Sequence, residues 1–277
     1  MTAPALDFAV PLFVPADRPE RFEKAAAGAD AVILDLEDAV AADAKDAARA
    51  ALRANFASVP VLVRVNGLGT PWHAADMAAI AGLGFSGVMV PKAEASEAFT
   101  ALCRASPVPV VALVESARGL ADARHLAETA NVALVAFGSI DFCADVGCAH
   151  TREALLAARS ELVLASRLAA LAAPVDGVTT SIDDADAISA DARHACDLGF
   201  GGKLAIHPRQ ILSIRAGFAP DDAEVAWAWK VLASQDGAAT IDGAMVDAPV
   251  RVRARAILGR LGRSRSSSPA PYSTSSV

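Results

Sequence analysis

The feature that most constrains this chain is a series of short apolar runs, largely β-branched, that alternate with helix-forming segments. FAVPLFVP, AVILDLE, VLVRVN, GVMVPKAE, VPVVALVE, VALVAFGSID, VDGVTT and GKLAIHP follow one another from Phe8 to Pro208. Runs of this kind, bounded by turn residues, read as strands buried on both faces. Strand, helix, strand order makes neighbouring strands parallel, with right-handed crossovers. Eight such units predict an α/β chain folded as a (β/α)8 TIM barrel. The alternative is an open doubly wound sheet, which usually carries a G-x-G-x-x-G fingerprint after an early strand; none is present.

Length and composition agree, since 277 residues suit an α/β barrel built as one unit. Hydrophobic residues make up 54% but aromatics only 5%, so the core must be assembled from Ala, Val, Leu and Ile. A net charge of −7 argues against nucleic acid as a partner, because phosphate backbones need a basic face. No run approaches membrane-spanning length, so no membrane association is expected. The N-terminus lacks the basic start of a secretory signal. Cys103, Cys143, Cys148 and Cys196 form no C-x-x-C pair, which predicts isolated, buried thiols in a reducing cytoplasm and no zinc site.

The barrel is expected over residues 1–216. A small helical extension follows over 217–262, containing Trp227, Trp229, a turn at Asp242 and Gly243, and a last helix begun by Pro249 with Arg251, Arg253, Arg255 and Arg260 on its polar faces. The Ser/Pro-rich segment 263–277 has no periodicity and is expected to be disordered.

Parallel strands place their C-terminal ends on one rim, where such barrels carry their chemistry. Two runs end in acids, Glu115 and Asp141, and a pair converging there suits a hard cation such as Mg²⁺. Either acid can equally cap the next helix or pair with Arg118 or Arg124. Arg64 ends another strand, where a guanidinium can grip a carboxylate bidentately or neutralise Glu37 or Glu94. Lys92 can balance the acid-rich rim. Glu37 and Asp38 can hydrogen-bond water around a metal ion, although Asp38 can simply begin the next helix. His207 reads as a structural residue. Arg18, Arg21 and Lys24 lie on the first turns of a helix leaving the rim and can hold phosphates or form a solvated face.

The segments LFVPADRPERFEKAAAGADAVILDLEDAVA, LVRVNGLGTPW, GVMVPKAE, ALVESARG, AFGSIDF, PVDGVTT, GFGGKLAIHPRQ and MVDAPV occur in this order. Together they resemble the citrate lyase β-subunit-like branch of the HpcH/HpaI aldolase family, from about Leu12 to about Leu261. The resemblance implies a modified TIM barrel, usually in homotrimers, that uses Mg²⁺ to cleave or form a carbon–carbon bond in 3-hydroxyacyl-CoA thioesters. Citryl-CoA, malyl-CoA and citramalyl-CoA are the implied substrates, with acetyl-CoA and a 2-oxoacid as products. It implies Glu115 and Asp141 as metal ligands, Arg64 as the carboxylate clamp, and Arg18 and Arg21 as part of the CoA site. Asp247 matches a catalytic aspartate that related enzymes receive from the lid of an adjacent subunit. Two other readings remain open: a non-catalytic CoA-thioester-binding subunit working with citrate lyase α and acyl-carrier chains, and a metal-dependent aldolase acting on free 2-oxoacids.

Overall fold

In the computed structural model, which describes residues 6–234, 239–241 and 243–266, the eight runs form one sheet in sequential order with every neighbour parallel. The strands are β1 Pro11–Pro15, β2 Ala31–Asp35, β3 Val61–Arg64, β4 Gly87–Val90, β5 Val110–Val114, β6 Val132–Phe137, β7 Val175–Asp176 and β8 Gly202–Lys203. A bridge from Leu12 to Ala205 returns the sheet to β1, with Phe13 N–H donating to Ala205 O at 2.9 Å. The expected barrel is the observed one.

Helices separate the strands on the outside. They are α1 Phe22–Ala26, α2 Lys45–Ala50, α3 His73–Ile80 and α4 Glu97–Ala105 in the first half. The second half has α5 Ala117–Ala121, α6 Ala123–Glu128, α7 Ser139–Val146, α8 Arg152–Leu168, α9 Ala185–Leu198 and α10 Ile211–Phe218. The first two are shorter than their Ala-rich sequences suggest, because each is entered through a 3-10 turn, Pro19–Arg21 and Ala42–Ala44.

Alternate strand residues serve two cores. Ile33, Leu62, Met89, Leu113, Leu134 and Leu204 fill the barrel interior. Val32, Leu34, Val63 and Val88 are equally buried, as they must be in a sheet covered by helices. Leu6 and Phe8, just ahead of β1, join the interior cluster.

The chain divides at Gly217 and Phe218 into two compact units. In the second, α11 Asp222–Ala233 is followed by a hairpin of β9 Ala239–Ile241 and β10 Ala244–Val246, then α12 Ala248–Ser266. An Asp221–Glu224 capping box starts α11. Ala228, Val231, Val246, Ala254 and Ile257 form this unit's own core. Arg251 departs from expectation: it is buried, donating to Val231 O at 2.9 Å, so its helix face is not solvated. The last helix also continues to Ser266, past the start expected for the unstructured tail. The remainder of that tail, and Asp242 of the expected turn, lie outside the described residues.

Candidate active site

Strand register assembles the site. Asp35 and Arg64 end β2 and β3 as direct partners, so their side chains rise on the same side of the sheet. Arg64 Nε donates to Asp35 Oδ1 and Nη2 to Asp35 Oδ2, both at 2.7 Å. Asp35 also accepts the backbone N–H groups of Glu37 and Ala39. The outer guanidinium nitrogen, Nη1, lies 3.0 Å from Glu37 Oε2 and 3.1 Å from Asp38 Oδ2. Phe13 sits beneath, its ring centroid 4.7 Å from the Arg64 guanidinium carbon. Burial alone would lower the Arg64 pKa, but the Asp35 hydrogen bonds and the surrounding carboxylates raise it. The forked edge expected to grip a substrate is therefore occupied by Asp35, and the edge left toward the rim is that of Nη1.

On the other side, β5 and β6 run in register to Val114 and Phe137, which brings Glu115 beside Gly138. A β-carbon on Gly138 would fall 2.3 Å from Glu115 Oε2, so only glycine leaves room for the carboxylate. Glu115 is 2% exposed and accepts the Lys92 N–H through Oε1 at 2.8 Å. Lys92 reaches that position with a left-handed backbone, φ 48°. Its ammonium is 3.8 Å from Glu37 Oε1.

Asp141 departs from expectation in one respect. Strand β6 stops at Phe137, and Asp141 occupies the first turn of α7, since the helix begins directly after Gly138. It nevertheless lines the same cavity of about 390 Å³ as Asp35, Asp38, Arg64, Glu115 and Gly138. Burial, and then the charges of Glu37 and Asp141, push the Glu115 carboxyl up to about 8. Burial likewise pushes Glu37 up to about 7 against the pull of Arg64. Glu37 Oε2 is buried and accepts no hydrogen bond despite the nearby guanidinium.

This donor set fits a divalent cation. The carboxylates Asp35, Glu37, Asp38, Glu115 and Asp141 outnumber the cations Arg64 and Lys92, and an added positive charge relieves the cost of their burial. Among the described residues no group of three or more His, Cys, Asp or Glu forms a complete metal cage. A hard ion resting on Glu115 and Asp141 and keeping other positions for water or substrate oxygen suits Mg²⁺ rather than zinc.

The remaining expected residues are more peripheral. Arg18 caps the 3-10 turn after β1 and Arg21 ends it, both exposed and each 3.9 Å from an adjacent acid, Asp17 and Glu20. Lys24 is exposed on α1. His207 caps the turn after β8 in a capping box with Gln210. Asp247 belongs to the second unit, where its Oδ1 accepts the Val250 N–H and caps α12.

Two buried networks support the rim and escaped sequence reasoning. Lys45 donates to Leu36 O at 2.6 Å, Glu37 O at 2.7 Å and Asn66 Oδ1 at 2.8 Å, fixing the turn that carries Glu37. Asp76 in turn accepts from Asn66 and Arg49. At the ends of β7 and β8, Asp176 accepts from Lys203 at 3.0 Å and from Arg159 Nε at 2.9 Å. A lysine in an Ala-rich stretch and an acid in a two-residue strand give no signal of either role.

An eight-stranded parallel barrel with an acid-rich cavity at its C-terminal rim and an arginine held there by Asp35 places this chain among the α/β barrels that carry their polar side chains at that rim. The chain belongs to the HpcH/HpaI aldolase/citrate lyase family, whose model matches residues 10–208. A citrate lyase subunit beta-like protein of Mycobacterium tuberculosis is 41% identical over 267 residues, covering 92% of this chain and 96% of that protein. A (3S)-malyl-CoA thioesterase of Cereibacter sphaeroides is 32% identical over 265 residues, covering 90% and 93%. Among solved structures, CitE of M. tuberculosis in complex with magnesium, acetoacetate and coenzyme A superposes with a TM-score of 0.83 at 39% identity, over 92% of this chain and 98% of that one. A citrate lyase beta subunit from the same organism, complexed with oxaloacetate and magnesium, gives a TM-score of 0.69 at 38% identity, over 77% and 98%.

Proposed function

We propose that this protein is an Mg²⁺-dependent carbon–carbon lyase that cleaves or forms a 3-hydroxyacyl-CoA thioester, with acetyl-CoA and a 2-oxoacid as the other side of the reaction. The observation that carries this reading is the joint presence of Glu115, Asp141 and a pre-oriented Arg64 in one rim cavity. It is supported by relatives solved with magnesium together with coenzyme A or oxaloacetate.

Glu115 and Asp141 would hold the ion, which supplies Lewis-acid stabilisation of charge developing on substrate oxygen. Arg64, held rigid by Asp35, presents Nη1 to the substrate carboxylate and so fixes the scissile bond in one orientation. Glu37 and Asp38 share that nitrogen, and they are displaced or hydrogen-bonded to water when substrate enters. Lys92 balances the charge of Glu37. Arg18 and Arg21 reach for the phosphates of CoA. In the cleavage direction the hydroxyl loses its proton, the carbon–carbon bond breaks, and the electron pair passes to the carbon α to the thioester carbonyl as an enolate, which must take up a proton to become acetyl-CoA. Asp247, on the second unit acting as a lid for a neighbouring subunit of a homotrimer, is assigned that proton exchange.

No described helix is long and apolar enough to cross a membrane, and a cytoplasmic enzyme fits the CoA substrate. The deciding experiment is a panel of citryl-, malyl-, methylmalyl- and citramalyl-CoA with purified protein and Mg²⁺, following 2-oxoacid and free CoA separately. Release of 2-oxoacid with acetyl-CoA supports the lyase. The Cereibacter relative favours a second reading, thioester hydrolysis, which would release free CoA and the intact hydroxyacid. Binding without turnover across the panel would leave only a carrier role.

A further inference from the structure

Helix α7 ends in a left-handed cap at Gly147, φ 76°. Both the Gly147 and Cys148 N–H groups bond back to Cys143 O, at 2.9 Å and 3.1 Å. In such a cap the residue after the glycine folds over the last helical turn and packs against the residue five positions earlier, ordinarily as an apolar contact. Here both partners are cysteines, and their sulfurs lie 3.7 Å apart. The pair is invisible to a search for C-x-x-C. Cys143 is buried and Cys148 is partly exposed, whereas Cys103 and Cys196 are buried elsewhere. A disulfide needs a sulfur separation of about 2.05 Å, an approach of roughly 1.6 Å that side-chain torsion supplies once the backbone has already been closed into the turn.

We propose that Cys143 and Cys148 form an oxidative modification site that a hydroperoxide closes to an intramolecular disulfide. The accessible Cys148 sulfur attacks one peroxide oxygen. The O–O bond breaks, water leaves, and Cys148 becomes a sulfenic acid. The Cys143 sulfur then attacks Cys148, the S–O bond breaks, and a second water leaves as the S–S bond forms. Two thiols lose two electrons, and hydrogen peroxide gains them to become two waters. The same connection is tied to the start of the helix by His150, whose Nε2 lies 2.9 Å from Ser139 Oγ. Closure therefore fastens the segment after α7 to both ends of the helix that carries Asp141. The chemistry is independent of the lyase assignment and is read without an activity assay.

Trypsin releases one peptide, His125 to Arg152, that contains both cysteines and no other. Full-length reduced protein is treated with hydrogen peroxide, alkylated with iodoacetamide and digested. The expected peptide is lighter by two hydrogens and carries no alkyl group, and dithiothreitol restores both alkylation sites. The peptides containing Cys103 and Cys196 remain alkylated, and Cys148→Ser leaves Cys143 alkylated after the same treatment. The proposal is overturned if both cysteines of the peptide are still alkylated when the peroxide has consumed an equal concentration of N-acetylcysteine. It is equally overturned if Cys148 advances to sulfinic acid while Cys143 stays free.

Discussion

Asp35 and Arg64 face each other across β2 and β3 and are joined by two parallel hydrogen bonds of 2.7 Å. The guanidinium is thus oriented before any ligand arrives, and its position is set by an acid to which the sequence analysis gave no role. Asp35→Asn keeps the shape but removes the charge that holds Arg64. Misplacing a substrate-orienting group by about 1 Å costs about a hundredfold, so kcat/KM should fall by about that factor. Mg²⁺ affinity, measured by calorimetry, should stay within a few-fold of the parent, which separates misplacement of Arg64 from loss of the metal site.

Gly138→Ala tests the other wall. The new methyl group would overlap Glu115, so the carboxylate must move. Overpacking of this kind costs about 1–3 kcal/mol, and the melting temperature should drop accordingly. Titration with Mg²⁺ should show affinity weakened at least tenfold. Unchanged affinity would mean that Glu115 does not hold the ion.

The buried acids give the metal-free protein a definite pH dependence. Glu115 is raised from 4.5 to about 8 and Glu37 from 4.5 to about 7. Between those values the folded state keeps protons that the unfolded chain has lost, so stability falls as pH rises from about 4.5 to about 8 and then levels off. The loss is on the order of several kcal/mol. Thermal melts in EDTA should show it, and Glu115→Gln should flatten most of the slope. Mg²⁺ competes with the same protons, so its apparent affinity should rise with pH across this window.

At the far side of the barrel, Asp176 is fully buried between Lys203 and Arg159. These cations hold its carboxyl below the usual range against the effect of burial. Asp176→Ala strands two buried positive charges, a change that costs about 3–5 kcal/mol. A fall in melting temperature of about 10 °C is expected in a domain of this size. A fall of only a degree or two would show that water reaches the cluster.

The barrel was legible because eight apolar runs alternate with helices, a pattern that survives without any contact information. The rim was legible as a set of strand-end residues, yet their pairing was not. That Arg64 meets Asp35 follows from β2–β3 register, and that Glu115 meets Gly138 follows from β5–β6 register after an irregularity between Val110 and Val111. Asp141 looked like a strand terminus because FGSID continues an apolar run, but Gly138 ends the strand and the helix starts at once. Lys45 and Asp176 carry their roles through burial, and burial of a lone charge leaves no trace in a linear pattern. Cys143 and Cys148 meet only because Gly147 turns the chain back on itself.

Lys92 holds a left-handed backbone at φ 48°, a conformation that costs a side-chain-bearing residue of order 1–3 kcal/mol. The bond that benefits runs from its main-chain nitrogen to Glu115, and its side chain has no part in it. Glycine at this position would keep that bond, release the strain and delete the ammonium beside Glu37. The residue is thus two devices in one, an amide that aims an acid and a tethered charge that tempers another, and a single exchange can switch off the second while leaving the first in place.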